Sequence, residues 1–589
     1  MGGPNEIRME GYHVTHGPMQ GRDELKRALG QGRHLYWFVA LFSFFANLLM
    51  LTGPLYMLQV YDRVLGSRSE ATLIALTLLV AFLYGVMGIL DYSRGRIMAR
   101  LGARFQSALD RRVFDAMVRR SAVSNDPVAQ TGLADLESVQ RLIASPVLMS
   151  IFDLPWTPVF LFGIFIFHPW LGWLAVAGGA LLILITLFNQ IFSRTPVLKA
   201  GIATQRAGLV ADEIRNEAET IQSMGMRGAA FLRWKGRRDE SLTETVKSGD
   251  VSGRFSSLTK TLRLFLQSAM LGLGAYLVLR GEVTAGTMIA ASILLGRALA
   301  PIEIIIGQWP LVQRARRGWK TLAELLGKVP PEAPRTALPK PRARLQVQGL
   351  TVVPPGDTRA QLKSVSFTVE PGQAVGVIGP SGAGKSTLAR ALTGVWMPAG
   401  GAIRLDGATL DQYDPDVLGR HVGYLPQQVR LFEGTIAENI ARLDPNRDDE
   451  KIVAAAKKAA AHEMILQLPD GYDTMVSPGG GRMSGGQMQR IALARALYAD
   501  PVIVILDEPN SNLDAEGSAA LNRAIRQIKE DGRAVIIMAH RPAAIQECDT
   551  LLVLEHGTAT AFGPRDEVLR KMVANHEQLQ RATALGSVR

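Results

Sequence analysis

The residues best suited to chemistry form one run, Gly379-Pro380-Ser381-Gly382-Ala383-Gly384-Lys385-Ser386-Thr387. It matches the pattern G-x-x-x-x-G-K-[ST] at every fixed position. An apolar stretch, Ala374 to Ile378, precedes it and reads as a buried strand. Gly379, Gly382 and Gly384 let backbone N–H groups turn inward around phosphate oxygens. A helix is expected from about Lys385, with its positive end facing the same anion. Lys385 can then reach the β- and γ-phosphates of a nucleoside triphosphate, and the Ser386 hydroxyl can ligate Mg²⁺.

Four further constellations follow. The stretch Pro501 to Asp507 reads as a buried strand that ends in two acids, Asp507 and Glu508. Asp507 is suited to hold Mg²⁺ through its water shell, and Glu508 to polarise an attacking water. Met483-Ser484-Gly485-Gly486-Gln487 precedes an expected helix, Met488–Tyr498. The serine hydroxyl and glycine amides make a second anion-binding helix start. One subunit has no use for two such starts on one nucleotide. A head-to-tail homodimer solves this, with each ATP between the phosphate loop of one copy and Ser484–Gln487 of the other. Gln427, after Tyr424-Leu425-Pro426, and His540, after the apolar Ala534–Met538, stand at strand ends. In this order and company they read as sensors of the γ-phosphate and the metal. The expected catalytic residues are thus Glu508 and His540, and the expected metal set is Ser386, Gln427 and Asp507. The cofactors are ATP and Mg²⁺.

The elements that position these groups fall in two parts. At 589 residues the chain is too long for one core. Its 47% hydrophobic content and mean hydropathy of +0.12 suit a protein that is part membrane, part soluble. Six spans are expected at Leu35–Leu58, Ala71–Leu90, Met149–Phe167, Leu171–Phe192, Thr261–Leu279 and Thr284–Ile306. The second-to-third connection carries nine arginines from Arg94 to Arg141. The fourth-to-fifth carries twelve Lys and Arg from Arg194 to Lys260. The other connections are short and carry few. The bias puts both termini and the two long connections in the cytoplasm. Those connections look helical, so the spans are expected to continue beyond the bilayer. The net charge of +12 is spread along the chain, which favours a membrane surface over nucleic acid as partner. Asp91, Asp153, Arg263, Arg297 and Glu303 fall at or inside the spans, where ionisable groups pack helices or line a substrate path. Residues 1–34 are expected to be a partly disordered cytoplasmic tail. The single cysteine, Cys548, excludes an intrachain disulfide and reads as a small apolar residue. Prolines 330, 331, 334, 339 and 341 mark a linker over 329–344. Beyond it, alternating strand-like and helix-like segments indicate an α/β nucleotide-binding domain from 345 to 589.

Taken together, these residues resemble the ABC exporters, with the family's signature at Met483–Gln487. The likeness is greatest to the ATPase/permease of type I secretion systems, the PrtD-like group. It rests on Leu51-Thr52-Gly53-Pro54-Leu55-Tyr56-Met57-Leu58-Gln59-Val60-Tyr61-Asp62-Arg63-Val64-Leu65, on Phe152-Asp153-Leu154-Pro155-Trp156-Thr157-Pro158 and on Leu506 to Asp514. It implies an α-helical six-span transmembrane domain (35–328) fused to an α/β P-loop ABC ATPase domain. It implies a homodimer in a bacterial inner membrane that exports an unfolded protein with a C-terminal signal. The implied partners are a periplasmic membrane-fusion adaptor and an outer-membrane channel, and Ser511–Asp514 becomes the loop between the two ATP sites. The chain departs from the family pattern at Leu350–Pro355, which lacks an adenine-stacking aromatic, and at Ser477-Pro478, where exporters often carry Gly-Glu. With about 34 residues before the first span, no N-terminal peptidase-like domain is expected. Two other readings use the same ATPase: a lipid or drug exporter, and an ATP-gated regulator that does not hydrolyse.

Overall fold

The computed structural model describes residues 18–124, 126–333, 335–477, 483–540 and 542–571. Residues 1–17, Pro334 and Pro478 lie outside that set. The chain divides into two compact units, the first running to Pro331 apart from Ala122–Ser124, and the second taking those three residues and the chain from Glu332 onward.

The first unit is helical. Helices α1 (Pro18–Gly30), α2 (Arg33–Leu49) and α3 (Thr52–Gln59) lead through a π-helical turn, Val60–Val64, and α4 (Leu65–Ser67) to a long α5 (Glu70–Val123). Next come α6 (Pro127–Ile143), α7 (Pro146–Asp153), α8 (Trp156–Phe167), α9 (Pro169–Asn216) and α10 (Ala218–Ser223). The last three are α11 (Arg227–Leu279), α12 (Ala285–Gly307) and α13 (Trp309–Lys328). Five stretches are long and apolar enough to cross a bilayer: Arg33–Ser67, α5, α9, α11 and α12. The third expected span is not one straight helix but the pair α7 and α8, bent by 47°. Pro155 stands at the break, where its fixed φ and missing N–H interrupt the helix. Helices α5, α9 and α11 run for 54, 48 and 53 residues, far past their apolar parts. Leu78 and Phe82 on α5 are each 67% exposed, as a lipid-facing surface requires.

Two expectations need correction here. Residues 18–30 of the expected disordered tail form α1, which packs on α13. Leu25 is fully buried among Leu322, Leu325 and Leu326. A Cβ on Gly21 would lie 2.1 Å from the Ala323 carbonyl oxygen, so only glycine permits this approach. Glu24 pairs with Arg112 at 2.9 Å. The polar sequence hid a narrow apolar stripe. Second, Arg94, counted among the arginines of the cytoplasmic connection, does not lie on a solvated helix face. It is buried on α5, 2.7 Å from Asp153 on α7 and 3.0 Å from Asp91. Its guanidinium also donates to the Ser43 hydroxyl, and Asn47 donates to the same Asp153 oxygen. Asp153 thus serves helix packing, and so does the Arg263–Glu303 pair between α11 and α12 at 3.0 Å. Removing one partner of a buried ion pair strands the other charge, at about 3–5 kcal/mol. We expect Arg94→Leu to lower the thermal unfolding midpoint of the detergent-solubilised chain by many degrees, with Arg94→Lys far milder. An unchanged midpoint in Arg94→Leu would show that the cluster does not hold α2, α5 and α7 together.

The second unit is α/β. Helix α13 ends at Lys328, and no described residue from 329 to 344 is helical or in a strand. Strands β1 (Leu345–Val352), β2 (Leu362–Val369) and β3 (Ala374–Ile378) precede α14 (Lys385–Leu392). Then come β4 (Gly400–Leu405), β5 (Ala408–Thr409), α15 (Pro415–His421), β6 (Val422–Leu425) and β7 (Gly434–Thr435). A helical stretch holds α16 (Ile436–Ile440), α17 (Asp449–Lys458) and α18 (His462–Leu466), ending at β8 (Met475–Val476). The remainder is α19 (Gly485–Leu497), β9 (Ile503–Asp507), α20 (Ala515–Glu530), β10 (Ala534–Met538), β11 (Thr550–Glu555) and β12 (Thr558–Pro564). The central sheet has the order β12-β11-β3-β10-β9-β6, parallel except for β12. An antiparallel sheet β2-β1-β4-β5 shares one core with it. Strands β3, β9 and β10 are almost wholly buried, as parallel strands covered on both faces must be. Cys548 is buried beside this sheet, which pushes its thiol up to about 12.

Candidate nucleotide site

Strand register decides what meets at the sheet edge. Val377 pairs with Met538, Met538 with Asp507, and Leu506 with Leu425. The carboxyl ends of β3, β10, β9 and β6 therefore lie side by side. The phosphate loop follows β3, His540 follows β10, Glu508 follows β9 and Gln427 follows β6. Ligands of open α/β sheets bind in the crevice at this edge.

The phosphate loop is built as its glycines require. Gly384 has φ +103° and a Cβ there would meet Leu362 at 2.7 Å; on Gly379 it would lie 2.1 Å from the Leu554 carbonyl oxygen. Helix α14 starts at Lys385, so its free N–H groups open onto the loop. The Lys385 ammonium donates to the carbonyls of Gly379 and Pro380 at 2.8 and 3.0 Å, holding it across the loop. Thr387 donates to Gln361, which ties the loop to the β1–β2 hairpin.

Asp507 is buried, and its Oδ1 has no hydrogen-bond partner. Burial raises its carboxyl above the usual carboxylate range, as does the Glu508 charge; the Ser386 hydroxyl, Arg390 and Lys385 oppose this. A buried carboxylate oxygen with no partner beside a serine hydroxyl and a lysine fits a hard cation with oxygen ligands. Burial and the Asp507 charge push the neighbouring Tyr424 up to about 12.

Glu508 is gripped from two sides. Gln427 donates to one carboxylate oxygen at 3.0 Å, and His540 Nδ1 lies 3.2 Å from the other. Its backbone is left-handed, φ +53°, at the turn leaving β9. This sharp turn swings the side chain off the buried strand into the crevice. Of the expected metal set, Ser386 and Asp507 adjoin each other, while the Gln427 amide is engaged by Glu508.

Ser484–Gln487 behaves differently. The helix begins at Gly485, not Met488, with Ser484 as its N-cap. Ser484 accepts from the Gln487 N–H, and the Gln487 side chain accepts from the Ser484 N–H. This capping box pulls the helix start three residues earlier than apolar periodicity suggested. Ser484 to Gln487 line a separate cavity of about 960 Å³ with Arg490 and Asn512 to Asp514. Among the described residues, none of their hydrogen bonds reaches the phosphate loop. Sequence reasoning missed Gln489, which is buried on α19. It donates to the Pro509 carbonyl and accepts from the Asn512 N–H at 3.3 Å. It fastens the signature helix to the loop behind Glu508. Its signal was faint: a polar residue on the buried side of a helix.

Two family models match the chain, "ABC transporter" over residues 362–511 and "ABC transporter transmembrane region" over 36–299. The chain is 44% identical to the type I secretion system ATP-binding protein PrsD of Rhizobium meliloti (strain 1021), over 95% of this chain and 96% of that one. It is 30% identical to the toxin RTX-I translocation ATP-binding protein of Actinobacillus pleuropneumoniae, covering 90% of this chain and 75% of that one. The cyclolysin secretion/processing ATP-binding protein CyaB of Bordetella pertussis is also 30% identical, with 92% and 77% covered. A solved bacterial Atm1-family ABC exporter with ATP bound superposes with a TM-score of 0.77 at 25% identity, over 94% of this chain and 98% of that one.

Proposed function

The chain belongs to the ABC transporters of type I secretion, and from that premise we propose that it works as a homodimer exporting an unfolded polypeptide. It is a membrane-embedded, multi-pass ABC exporter for protein secretion, and its ATPase domain couples nucleotide hydrolysis to transport. We place it in the bacterial inner membrane, with the ATPase in the cytoplasm. A periplasmic adaptor and an outer-membrane channel carry the cargo on to the outside.

The observation that carries the hydrolytic reading is the Glu508 carboxylate, held between Gln427 and His540 at the edge that also bears the phosphate loop. The loop amides of Gly379–Gly384 and the start of α14 bind the β- and γ-phosphates. Lys385 leaves its loop carbonyls and pairs with phosphate oxygens instead. Ser386 and Asp507, with Gln427 as the third expected ligand, would hold Mg²⁺, which when bound would supply positive charge to the phosphates. Glu508 orients the attacking water and takes its proton, while His540 steadies the γ-phosphate. Intact Lys385, Glu508 and His540 argue against a regulator that only binds ATP.

Ser484–Gln487 supports the dimer reading. This second anion-binding helix start makes no hydrogen bond to the phosphate loop among the described residues, which supports a second copy bringing it to the nucleotide. The described residues of one chain supply at most six spans and one phosphate loop, half of a two-site exporter.

Cargo is tested in the cell. When the gene is deleted, at least one large protein should vanish from the culture medium and remain inside. Trimming that protein's C-terminal segment should block its export in the parent strain. An unchanged set of secreted proteins, with altered lipid distribution or drug sensitivity, would favour a small-molecule exporter instead.

A further inference from the structure

A cavity of about 330 Å³ opens between the α1–α2 corner and α5. Its wall is apolar on one side, with Leu29, Leu101 and Phe105. Gln31, Tyr36 and Arg104 also line it. The corner sits hard against α5: a Cβ on Gly32 would lie 2.3 Å from Leu101. The cavity is therefore a fixed gap between packed helices.

Its level in the membrane follows from α2. The apolar run of the first span begins at Leu35, and Trp37 is 75% exposed. Exposed Trp beside Tyr, at the start of a span, marks the headgroup zone. Arg33, Arg100 and Arg104 are exposed there, and none makes an ion pair among the described residues. Arg104, a lining arginine with no ion pair among the described residues, beside the apolar Leu29, Leu101 and Phe105 at headgroup depth, calls for an external anion with an apolar body. Basic pockets between helices at the cytoplasmic face are built to take anionic lipid heads, and the cavity has the size of small ligand sites.

We propose that this cavity binds the headgroup of an anionic phospholipid, with Arg104 on the phosphodiester and the acyl chains running along α2 beside Tyr36 and Trp37. The site goes beyond the export reading and rests on it only for orientation. A guanidinium offers the phosphodiester a paired, charge-assisted hydrogen bond; in phosphatidylcholine the choline cation offsets the phosphate charge, which sets the preference for net negative charge. By seating α1 on α5, the lipid fastens the N-terminal helix to the span that follows.

The test uses the full chain in detergent, with dioleoyl-phosphatidylglycerol, dioleoyl-phosphatidylcholine and inorganic phosphate as probes, read by native mass spectrometry. The parent should retain one phosphatidylglycerol per chain at lipid levels where phosphatidylcholine is lost. Arg104→Glu should weaken that binding roughly tenfold or more, since one cation is removed and an anion added. Ala108→Trp, which fills the cavity from an exposed lining position, should do the same without changing charge. Arg237→Glu, on exposed α11, should change nothing. Phosphatidylglycerol binding equal in the parent and both cavity variants would overturn the proposal, as would equal retention of phosphatidylcholine. Displacement by millimolar inorganic phosphate would reassign the site to free phosphate. Because binding is read without ATP or cargo, failure here leaves the export reading untouched, and a failed export test leaves this one standing.

Discussion

Glu508→Gln should bind ATP as well as the parent and hydrolyse it roughly 10²–10⁴-fold more slowly, the usual worth of a positioned general base. The substitution keeps side-chain length and the left-handed turn that aims it. It leaves Lys385 and the loop amides untouched, so the nucleotide cradle survives. What disappears is the carboxylate that accepts the water's proton. The grip from Gln427 also changes, because an amide now faces an amide across a 3.0 Å contact. Lys385→Ala is the contrast: it removes a cation that binds the ground-state triphosphate, so affinity itself should fall. Nucleotide binding by fluorescent analogue and phosphate release under single-turnover conditions separate the two. Hydrolysis by Glu508→Gln at near the parent rate would remove Glu508 from the role of base. Loss of ATP binding in that variant would recast it as a residue of the binding cradle.

Mixing two dead chains should restore activity. Lys385→Ala disables a phosphate loop, and Ser484→Arg disables a signature helix start by placing a large cation where the cap should be. Each homodimer carries the same fault in both composite sites. In the mixed dimer one site combines both faults, and the other combines an intact loop with an intact Ser484 cap. That second site should hydrolyse ATP, so co-expressed chains should recover a measurable part of parent activity. The physical basis is the isolation of the Ser484–Gln487 capping box from its own phosphate loop. Purified mixed dimers, selected with two different affinity tags, that remain as dead as either parent variant would rule out sites shared between copies.

Much of the nucleotide site was legible in the chain because its signals are local. A buried strand, a glycine turn and a helix start within a few residues of one another dictate a phosphate cradle wherever they fold, and 374–392 does so as expected. The acids after β9 and the histidine after β10 were equally readable, since apolar strands end where a polar residue meets the sheet edge. Apolar lengths located the membrane spans for the same reason. Tertiary structure decided the rest, where the partner lies far along the chain. Arg94 read as one of nine arginines in a cytoplasmic helical connection, until Ser43 and Asp153, 51 and 59 residues away, closed around it. Helix α1 read as polar because its stripe is only a few residues wide, and Gly21 matters only once Ala323 stands against it. The third span is present as a pair of helices bent at Pro155, a break that apolar length alone did not reveal. Sequence by itself determined which groups can bind phosphate and which stretches can enter lipid, because spacing and hydropathy act over one or two turns. Only the folded chain decided that Gln427 and His540 converge on Glu508, because that convergence is made by strand order β3-β10-β9-β6, which brings a residue 81 positions earlier and one beyond the next strand onto one carboxylate.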